Sequence, residues 1–213
     1  MTARRGLFIS VEGVDGSGKS TQARLLAQAL GARLTREPGG SPGAEEIRRL
    51  LVEGAEARWS PQAEIMLFTA ARRDHLEKTI LPALAAGETV ICDRFADSTR
   101  VYQAARAGAD GAGLREQVDL LHDAMIGIEP DLTFLIDTDP AQALARGMAR
   151  RSNEDRFERM GEGFAQALRA GFLTLAAQFP ARIRVIDGNR PIDAIAADLA
   201  DQARAALAGQ AHG

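Results

Sequence analysis

A single cysteine, only two lysines and no long apolar run set the first limits on this 213-residue chain. With Cys92 alone, neither an intramolecular disulfide nor a cysteine-cluster metal site can form. No stretch of 18 apolar residues exists, so nothing reads as a membrane span. The basic N-terminus carries an apolar run, 7–11, too short for a signal peptide, and the expectation is a soluble cytoplasmic protein. Excess charge of one sign is also lacking. The 26 Lys and Arg face 29 Asp and Glu, and a net charge of −3 gives no global attraction to a nucleic acid polymer or an anionic membrane. No internal repeat or low-complexity linker breaks the chain, which reads as one domain over 1–213.

What is present is ordinary globular usage, 46% hydrophobic and 26% charged residues, with 40 alanines concentrated in helical stretches. Short apolar or β-branched runs at 7–12, 32–36, 89–93, 132–137 and 183–187 alternate with helical patterns. The first, third and fourth runs are almost continuously apolar, as strands covered on both faces are. The expected helices are 19–30, 44–53, 61–86, 114–126, 140–149, 153–178 and 191–207. Ser60-Pro61 with Glu64, and Asp139-Pro140, are start signals, while Gly31 and Gly87 fall where helices stop. Residues 108–113 (GADGAG) read as a loop, and 208–213 as a frayed tail. The alternation predicts an α/β fold with a doubly wound, five-stranded parallel sheet flanked by helices.

Gly13-Val14-Asp15-Gly16-Ser17-Gly18-Lys19-Ser20 matches G-x-x-x-x-G-K-[ST], directly after a buried strand and opening a helix. The glycines let the backbone wrap with its N–H groups inward, and the helix N-terminus adds a partial positive charge. Lys19 supplies a cation for the β- and γ-phosphates, Ser20 a hydroxyl for Mg²⁺, and Thr21 reaches the α-phosphate. A nucleoside triphosphate binds here on this reading, and the fold is a P-loop NTPase. The remaining residues select among P-loop classes. A guanine-recognition Asn-Lys-x-Asp run is absent, since Lys19 and Lys78 are the only lysines. No motor or helicase coupling motif is found, which leaves a kinase of a small acceptor.

Four segments, VEGVDGSGKSTQ, TREPGGSPGAEEIR, LFTAAR and DRFADSTRVYQ, follow one another from the first strand onward. In this order and spacing the chain resembles the bacterial thymidylate kinases, over nearly its whole length from Leu7 to Leu207. The resemblance implies transfer of the γ-phosphoryl of ATP to dTMP with Mg²⁺, and a homodimer formed through the helices at 44–53 and 61–86. Arg94, ending a strand beside the loop, can clamp phosphoryl oxygens, and Asp93 is placed to hold Mg²⁺ or its waters. Phe68 offers a stacking face for a base, and Arg72 lies one helical turn on. In the family that arginine bonds the base carbonyl, and Asp15 contacts the acceptor sugar or its metal. Ser98 lies beside Thr99 and Gln103, which resemble the polar contacts to the thymine edge. Tyr102 resembles the residue that crowds the sugar 2′ position, or it merely packs. Arg36, Glu37 and Arg48 resemble residues lining the acceptor cleft. A turn ion pair for Arg36 and Glu37, and a solvated face for Arg48, are the alternatives.

Some relatives carry an arginine in the loop after its Asp; Gly16 stands there in this chain. The compensating charge is expected from a short mobile lid at about 146–159, where Arg146, Arg150, Arg151, Arg156 and Arg159 crowd. Arg150 or Arg151 is expected at the phosphates and Arg146 against the adenine. His75, His122 and His212 show no ligand spacing, and Cys92 is expected to pack in the third strand. A kinase of another acceptor and a non-catalytic nucleotide switch are the competing classes.

Overall fold

Strand β1 (Phe8–Glu12) is buried at every position because it runs through the middle of a parallel sheet. A computed structural model describes residues 5–54, 58–108, 111–149 and 160–212. Its five strands lie in the order β2-β3-β1-β4-β5, with β2 at Arg33–Arg36, β3 at Val90–Asp93, β4 at Leu132–Asp137 and β5 at Ile183–Asp187. Every pairing is parallel. Helices fill the crossovers: α1 (Lys19–Leu30), α2 (Pro42–Val52), α3 (Pro61–His75), α4 (Leu81–Ala85), α5 (Ala96–Ala107), α6 (Gly111–Met125), α7 (Pro140–Ala149), α8 (Gly161–Gln178) and α9 (Ile192–His212).

The two-residue period of β1 divides the core. Leu7, Ile9 and Val11 pack with Ala23 and Leu26 of α1 and Leu199 and Ala203 of α9. Phe8 turns to the other face, among Leu76, Ile80, Leu84 and Val90, and meets Phe95 edge to face at 5.0 Å. Ser10 and Glu12 share the parity of Phe8. Ser10 Oγ lies 2.8 Å from Thr133 Oγ1 of β4, and Glu12 turns toward the start of α5. One face of the central strand is thus apolar, and the other becomes polar toward its C-terminal end, where ligands bind in open α/β sheets.

The expected strands all form, and β1, β2 and β3 each begin one residue late. The helices differ more. Helix α5 was not expected, because Ala96 to Gln103 are all buried and no amphipathic stripe marks it. The single helix expected over 61–86 is divided by a π-helical turn at Leu76–Ile80. Pro82 has no N–H to give and its ring crowds the carbonyl one turn back, so an unbroken α-helix cannot pass through it. Gly111 to Gly113 start α6 instead of extending the loop, and α9 continues to His212 where fraying was expected. Gly31 closes α1 with φ of 60°. Asp139 caps α7, accepting from Ala141 N and Gln142 N at 3.1 Å. Asp137 ends β4 in a two-pronged ion pair with Arg169, at 2.6 and 2.8 Å. Ser60 caps α3 through Ala63 N at 3.2 Å, but Glu64 does not close the capping box: it is buried against Gln103 and Arg106.

Helix α5 is anchored by charge. Asp97, buried, accepts from Arg182 at 2.6 and 3.0 Å and from Arg100 at 2.9 Å. Arg100 continues to Asp119 at 2.8 Å and Glu129 at 2.5 Å. Removing one member of such a group leaves its partners charged and out of water. Asp97→Ala is expected to cost about 3–5 kcal/mol, read as a lower urea midpoint with an unchanged m-value.

Candidate active site

The loop between β1 and α1 begins at Gly13, whose φ is 144°, and turns at Gly16 with φ of 84°. A Cβ at Gly16 would lie 1.8 Å from the carbonyl oxygen of Ala143 on α7, so sterics and the backbone both require glycine there. Lys19, the first residue of α1, is buried, its Nζ 3.2 Å from Asp15 Oδ1 and 3.4 Å from the Val14 carbonyl. Burial and the nearby Arg94 hold its pKa below the ordinary lysine value, against the opposing pull of Asp15 and Asp93. Ser20 is exposed at the helix start, and Thr21 is half-buried beside it.

Arg94 follows β3 in the left-handed region, φ 71°, a conformation that costs a non-glycine residue about 1–2 kcal/mol. Its N–H is tied to Val11 O at 3.0 Å, so the strained turn is fixed from the neighbouring strand. Nη1 donates to Gly13 O at 3.0 Å and Ser98 Oγ at 2.7 Å; Nη2 donates to Asp15 Oδ1 at 2.6 Å and Tyr102 Oη at 2.9 Å. Tyr102 in turn donates to Asp15 Oδ2 at 2.8 Å. Burial pushes the Asp15 carboxyl up, but Arg94, Lys19 and the Tyr102 hydroxyl outweigh it and hold the group well below the usual carboxylate range. Asp15 is therefore the shared counterion of the two cations that face the phosphate loop.

Behind Arg94 stands Glu12. It accepts from Phe95 N at 2.7 Å and from Ser98 Oγ at 2.6 Å, completing a chain from Arg94 through Ser98. Burial, reinforced by the Asp97 carboxylate, pushes Glu12 up to about 7, against the pull of Arg94 and the hydrogen bonds from Ser98 and Phe95.

A cavity of about 430 Å³ opens in front of these groups, at the C-terminal ends of β1, β2 and β3. Asp15, Lys19, Ser20, Asp93 and Arg94, from the loop and the end of β3, are among its lining residues, and so are Phe68 and Arg72 from α3 and Ser98, Thr99 and Tyr102 from α5. Arg72 is buried yet reaches the cavity wall. It donates from Nε to Glu37 Oε2 at 2.7 Å and from Nη2 to Thr99 Oγ1 at 2.9 Å, with its charge 5.1 Å over the Phe95 ring. Arg36 and Arg48 complete the rim. Arg36 pairs with Glu45 at 3.1 Å and not with Glu37, while Arg48 donates to Pro38 O at 2.6 Å. Asp93 Oδ1 is buried and has no hydrogen-bond partner among the described residues, and Ser20 lines the same cavity. Hard oxygen donors of this kind fit Mg²⁺.

Of the residues singled out from the sequence, Asp15, Lys19, Ser20, Arg36, Glu37, Arg48, Phe68, Arg72, Asp93, Arg94, Ser98, Thr99 and Tyr102 line this cavity. Gly13, Val14, Gly16, Ser17, Gly18 and Thr21 of the loop and α1 are not among its lining, and neither are Gln103 and Arg146. Gln103 is fully buried, donates to Glu64 at 3.1 Å and does not line it. Arg146 is exposed on α7, 3.4 Å from Gln142, and is also not among the lining residues. Arg150, Arg151, Arg156 and Arg159, and most of the expected lid, lie outside the described residues. Conversely, Glu12, Pro38, Val52 and Phe95 belong to the site or its support without having been singled out. For Glu12 a signal existed: an acid ending an apolar strand immediately before the loop.

A parallel sheet of order β2-β3-β1-β4-β5, with a phosphate-cradling loop after its central strand and an aromatic–arginine pocket beside it, defines a P-loop NTPase fold built to hold a second, acceptor ligand. The thymidylate kinase family model matches residues 11–199. The chain belongs to the thymidylate kinase family. Thymidylate kinase of Ruegeria pomeroyi is 61% identical over 201 residues, covering 92% of this chain and 93% of that protein. The thymidylate kinase of Dinoroseobacter shibae is 64% identical over 199 residues, 91% of this chain and 94% of the relative. The crystal structure of thymidylate kinase from Ehrlichia chaffeensis matches with a TM-score of 0.68 and 36% identity, over 85% of this chain and 93% of that one.

The Glu12 carboxyl gives a pH dependence of definite sign. Its folded-state value of about 7 lies above the ordinary 4.5, so the folded chain keeps a proton that the unfolded chain releases in between. Stability from this group is full below pH 4.5 and declines as pH rises to about 7, by ~3 kcal/mol. Asp15 acts in a separate window, its contribution being lost only as pH falls below its ordinary 3.8. Chemical denaturation of Glu12→Gln across pH 4.5–7 is expected to give a flatter profile than wild type.

Proposed function

We infer that this chain transfers the γ-phosphoryl group of ATP to the phosphate of dTMP, giving ADP and dTDP. One observation carries this reading: Lys19 and Arg94 beside the phosphate loop, and Phe68, Arg72 and Thr99, line one and the same cavity. A donor phosphate held by the loop and an acceptor base held by Phe68 and Arg72 then share that cavity.

The chemistry asks for positioning and charge neutralisation more than for proton transfer, because the acceptor phosphate is already an ionised nucleophile. The backbone N–H groups of 13–20 and the Lys19 ammonium hold the β- and γ-phosphates of ATP, Thr21 the α-phosphate. Arg94, its plane set by Gly13, Ser98, Asp15 and Tyr102, presents its remaining donor capacity to the acceptor phosphate. Phe68 stacks on the thymine and Arg72 with Thr99 reads its polar edge, while Tyr102 closes the space beside the sugar and disfavours a 2′-hydroxyl. Arg36 and Arg48 line the acceptor's path, and Glu37 orients Arg72. Ser20 and Asp93 would hold Mg²⁺, which would neutralise negative charge on the phosphates when bound. An arginine from the segment after α7, Arg150 or Arg151, completes the charge around the transferring group.

The chain is read as one kinase domain acting as a homodimer in the cytoplasm. Leu51 and Ile65 are buried in the chain's own core, whereas Leu50 of α2, Met66 of α3 and Leu120 of α6 stay 37%, 59% and 70% exposed, and these supply the apolar face for a second copy. No helix among the described residues is long and apolar enough to cross a membrane.

The deciding experiment measures ADP release with ATP and Mg²⁺ against dTMP, dUMP, dCMP, AMP, GMP and water. Turnover dependent on dTMP and weaker with dUMP is expected; turnover on a purine monophosphate, or hydrolysis without an acceptor, overturns the assignment. Within the same assay Lys19→Ala is expected to lower kcat at least ~100-fold. Phe68→Ala is expected to raise the KM for dTMP about tenfold or more, with the KM for ATP unchanged.

A further inference from the structure

The stripe that faces the acceptor pocket does not end at Arg72. Phe68, Arg72 and His75 fall at i, i+4 and i+7 on one face of α3, running from the cavity wall into the interior. His75 is fully buried and is not among the residues lining the cavity. Its Nδ1 lies 3.1 Å from Glu37 Oε1, and its Nε2 lies 2.6 Å from Thr35 Oγ1. The other Glu37 oxygen is the one that receives Arg72 Nε at 2.7 Å, and Arg72 Nη2 reaches Thr99 at 2.9 Å.

We propose that His75 is a positioning residue for recognition of the acceptor base: it fixes the Glu37 carboxylate, and through that carboxylate the plane of the Arg72 guanidinium. The proposal rests on the reading of Phe68 and Arg72 as the base pocket. Its physical content is directional. A carboxylate bound to an arginine only accepts, so Nδ1 carries the hydrogen shared with Glu37. The contact of Nε2 with the Thr35 hydroxyl at 2.6 Å ties the ring to β2. Gly40 passes directly over this pair: a Cβ there would lie 2.3 Å from His75 Nε2 and 2.5 Å from Thr35 Oγ1. A ligand therefore has no access to the ring, and its influence on substrate runs through Glu37.

The same geometry argues against a metal at this spot. Ligand atoms of Glu37, His75 and Cys92 do lie within 4.8 Å of one another. Both imidazole nitrogens and both Glu37 oxygens are engaged, Cys92 Sγ donates to Arg94 O at 2.9 Å, and burial pushes its thiol well up. The neighbouring Arg72 already supplies the compensating positive charge. What remains is a relay, Thr35 to His75 to Glu37 to Arg72 to Thr99, that joins β2, α3 and α5 behind the pocket.

The test is a double-mutant cycle read in steady-state kinetics, with His75→Ala, His75→Asn, His75→Gln, Arg72→Ala and the His75→Ala/Arg72→Ala pair. Losing the hydrogen bond to an ionised Glu37 is expected to raise the KM for dTMP about tenfold in His75→Ala, with kcat and the KM for ATP within about twofold of wild type. An asparagine amide can take the place of Nδ1, so His75→Asn is expected to restore most of the loss; His75→Gln, which matches only Nε2, is not. In the Arg72→Ala background, His75→Ala is expected to add nothing. The proposal is overturned if His75→Ala raises the dTMP KM equally in both backgrounds, raises the ATP KM in parallel, or leaves the dTMP KM unchanged while Arg72→Ala raises it. An Arg72→Ala enzyme with a wild-type dTMP KM overturns the base-pocket reading together with this one, which separates the two failures. His75→Asn keeps the test decisive if the alanine variant does not fold.

Discussion

A guanidinium buried beside the phosphate loop sets the terms for the rest of this molecule. Arg94 sits at the end of β3 in a left-handed turn, and both of its terminal nitrogens are engaged, by the Gly13 carbonyl, Ser98, Asp15 and Tyr102. Those partners come from the phosphate loop and from α5, so one charge ties these two elements of the cavity lining together. A lysine could not do this, because a point charge on a flexible stem has no plane to orient. The carboxylates follow as a consequence. Asp15 balances Arg94 and Lys19 together, and Glu12, one layer behind, accepts from the α5 hydroxyl that Arg94 itself uses.

Helix α5 shows what such an arrangement requires of the fold. Its first eight residues, Ala96 to Gln103, are all buried, and five of them are polar or charged apart from Tyr102: Asp97, Ser98, Thr99, Arg100 and Gln103. One side of the helix supplies the cavity with Ser98, Thr99 and Tyr102. The opposite side is locked by Arg182, Arg100, Asp119 and Glu129 around Asp97. Replacing that second cluster with apolar side chains could be neutral for stability. Its effect as built is to fix the rotation of the helix, and with it the direction in which the substrate-facing side chains point.

The sequence made the sheet legible, since each strand is a compact apolar run and the phosphate loop announces the polarity of β1. The loop, Arg94, Phe68 and Arg72 were legible as chemistry because each needs a particular residue type at a particular spacing. Helix α5 was hidden for a physical reason: with both sides buried, it has no hydrophobic period to detect. The π turn at Leu76–Ile80 was equally hidden, although Pro82 marks its cause. Gln103 reads as a base contact only if one-turn spacing from Thr99 is taken as a shared face. Glu64, on the neighbouring helix, draws it away from the cavity. Glu12 carried a signal in its place between the apolar strand and the loop, whereas the pairing of His75 with Glu37 and Thr35, distant in sequence, leaves no local pattern in a single chain.

Arginine takes almost every cationic position here, and of the two lysines Lys19 has a side chain only 6% exposed while Lys78 is 54% exposed. Apart from the chain's own amino terminus, the protein therefore offers an acylating reagent one open amine, on the turn after α3, and one recessed at the base of the phosphate loop. The molecule is thus close to a single-address surface for amine coupling. Tethering through Lys78 leaves the cavity free, and slow modification of the second amine becomes a direct report of whether a nucleotide is lying over it.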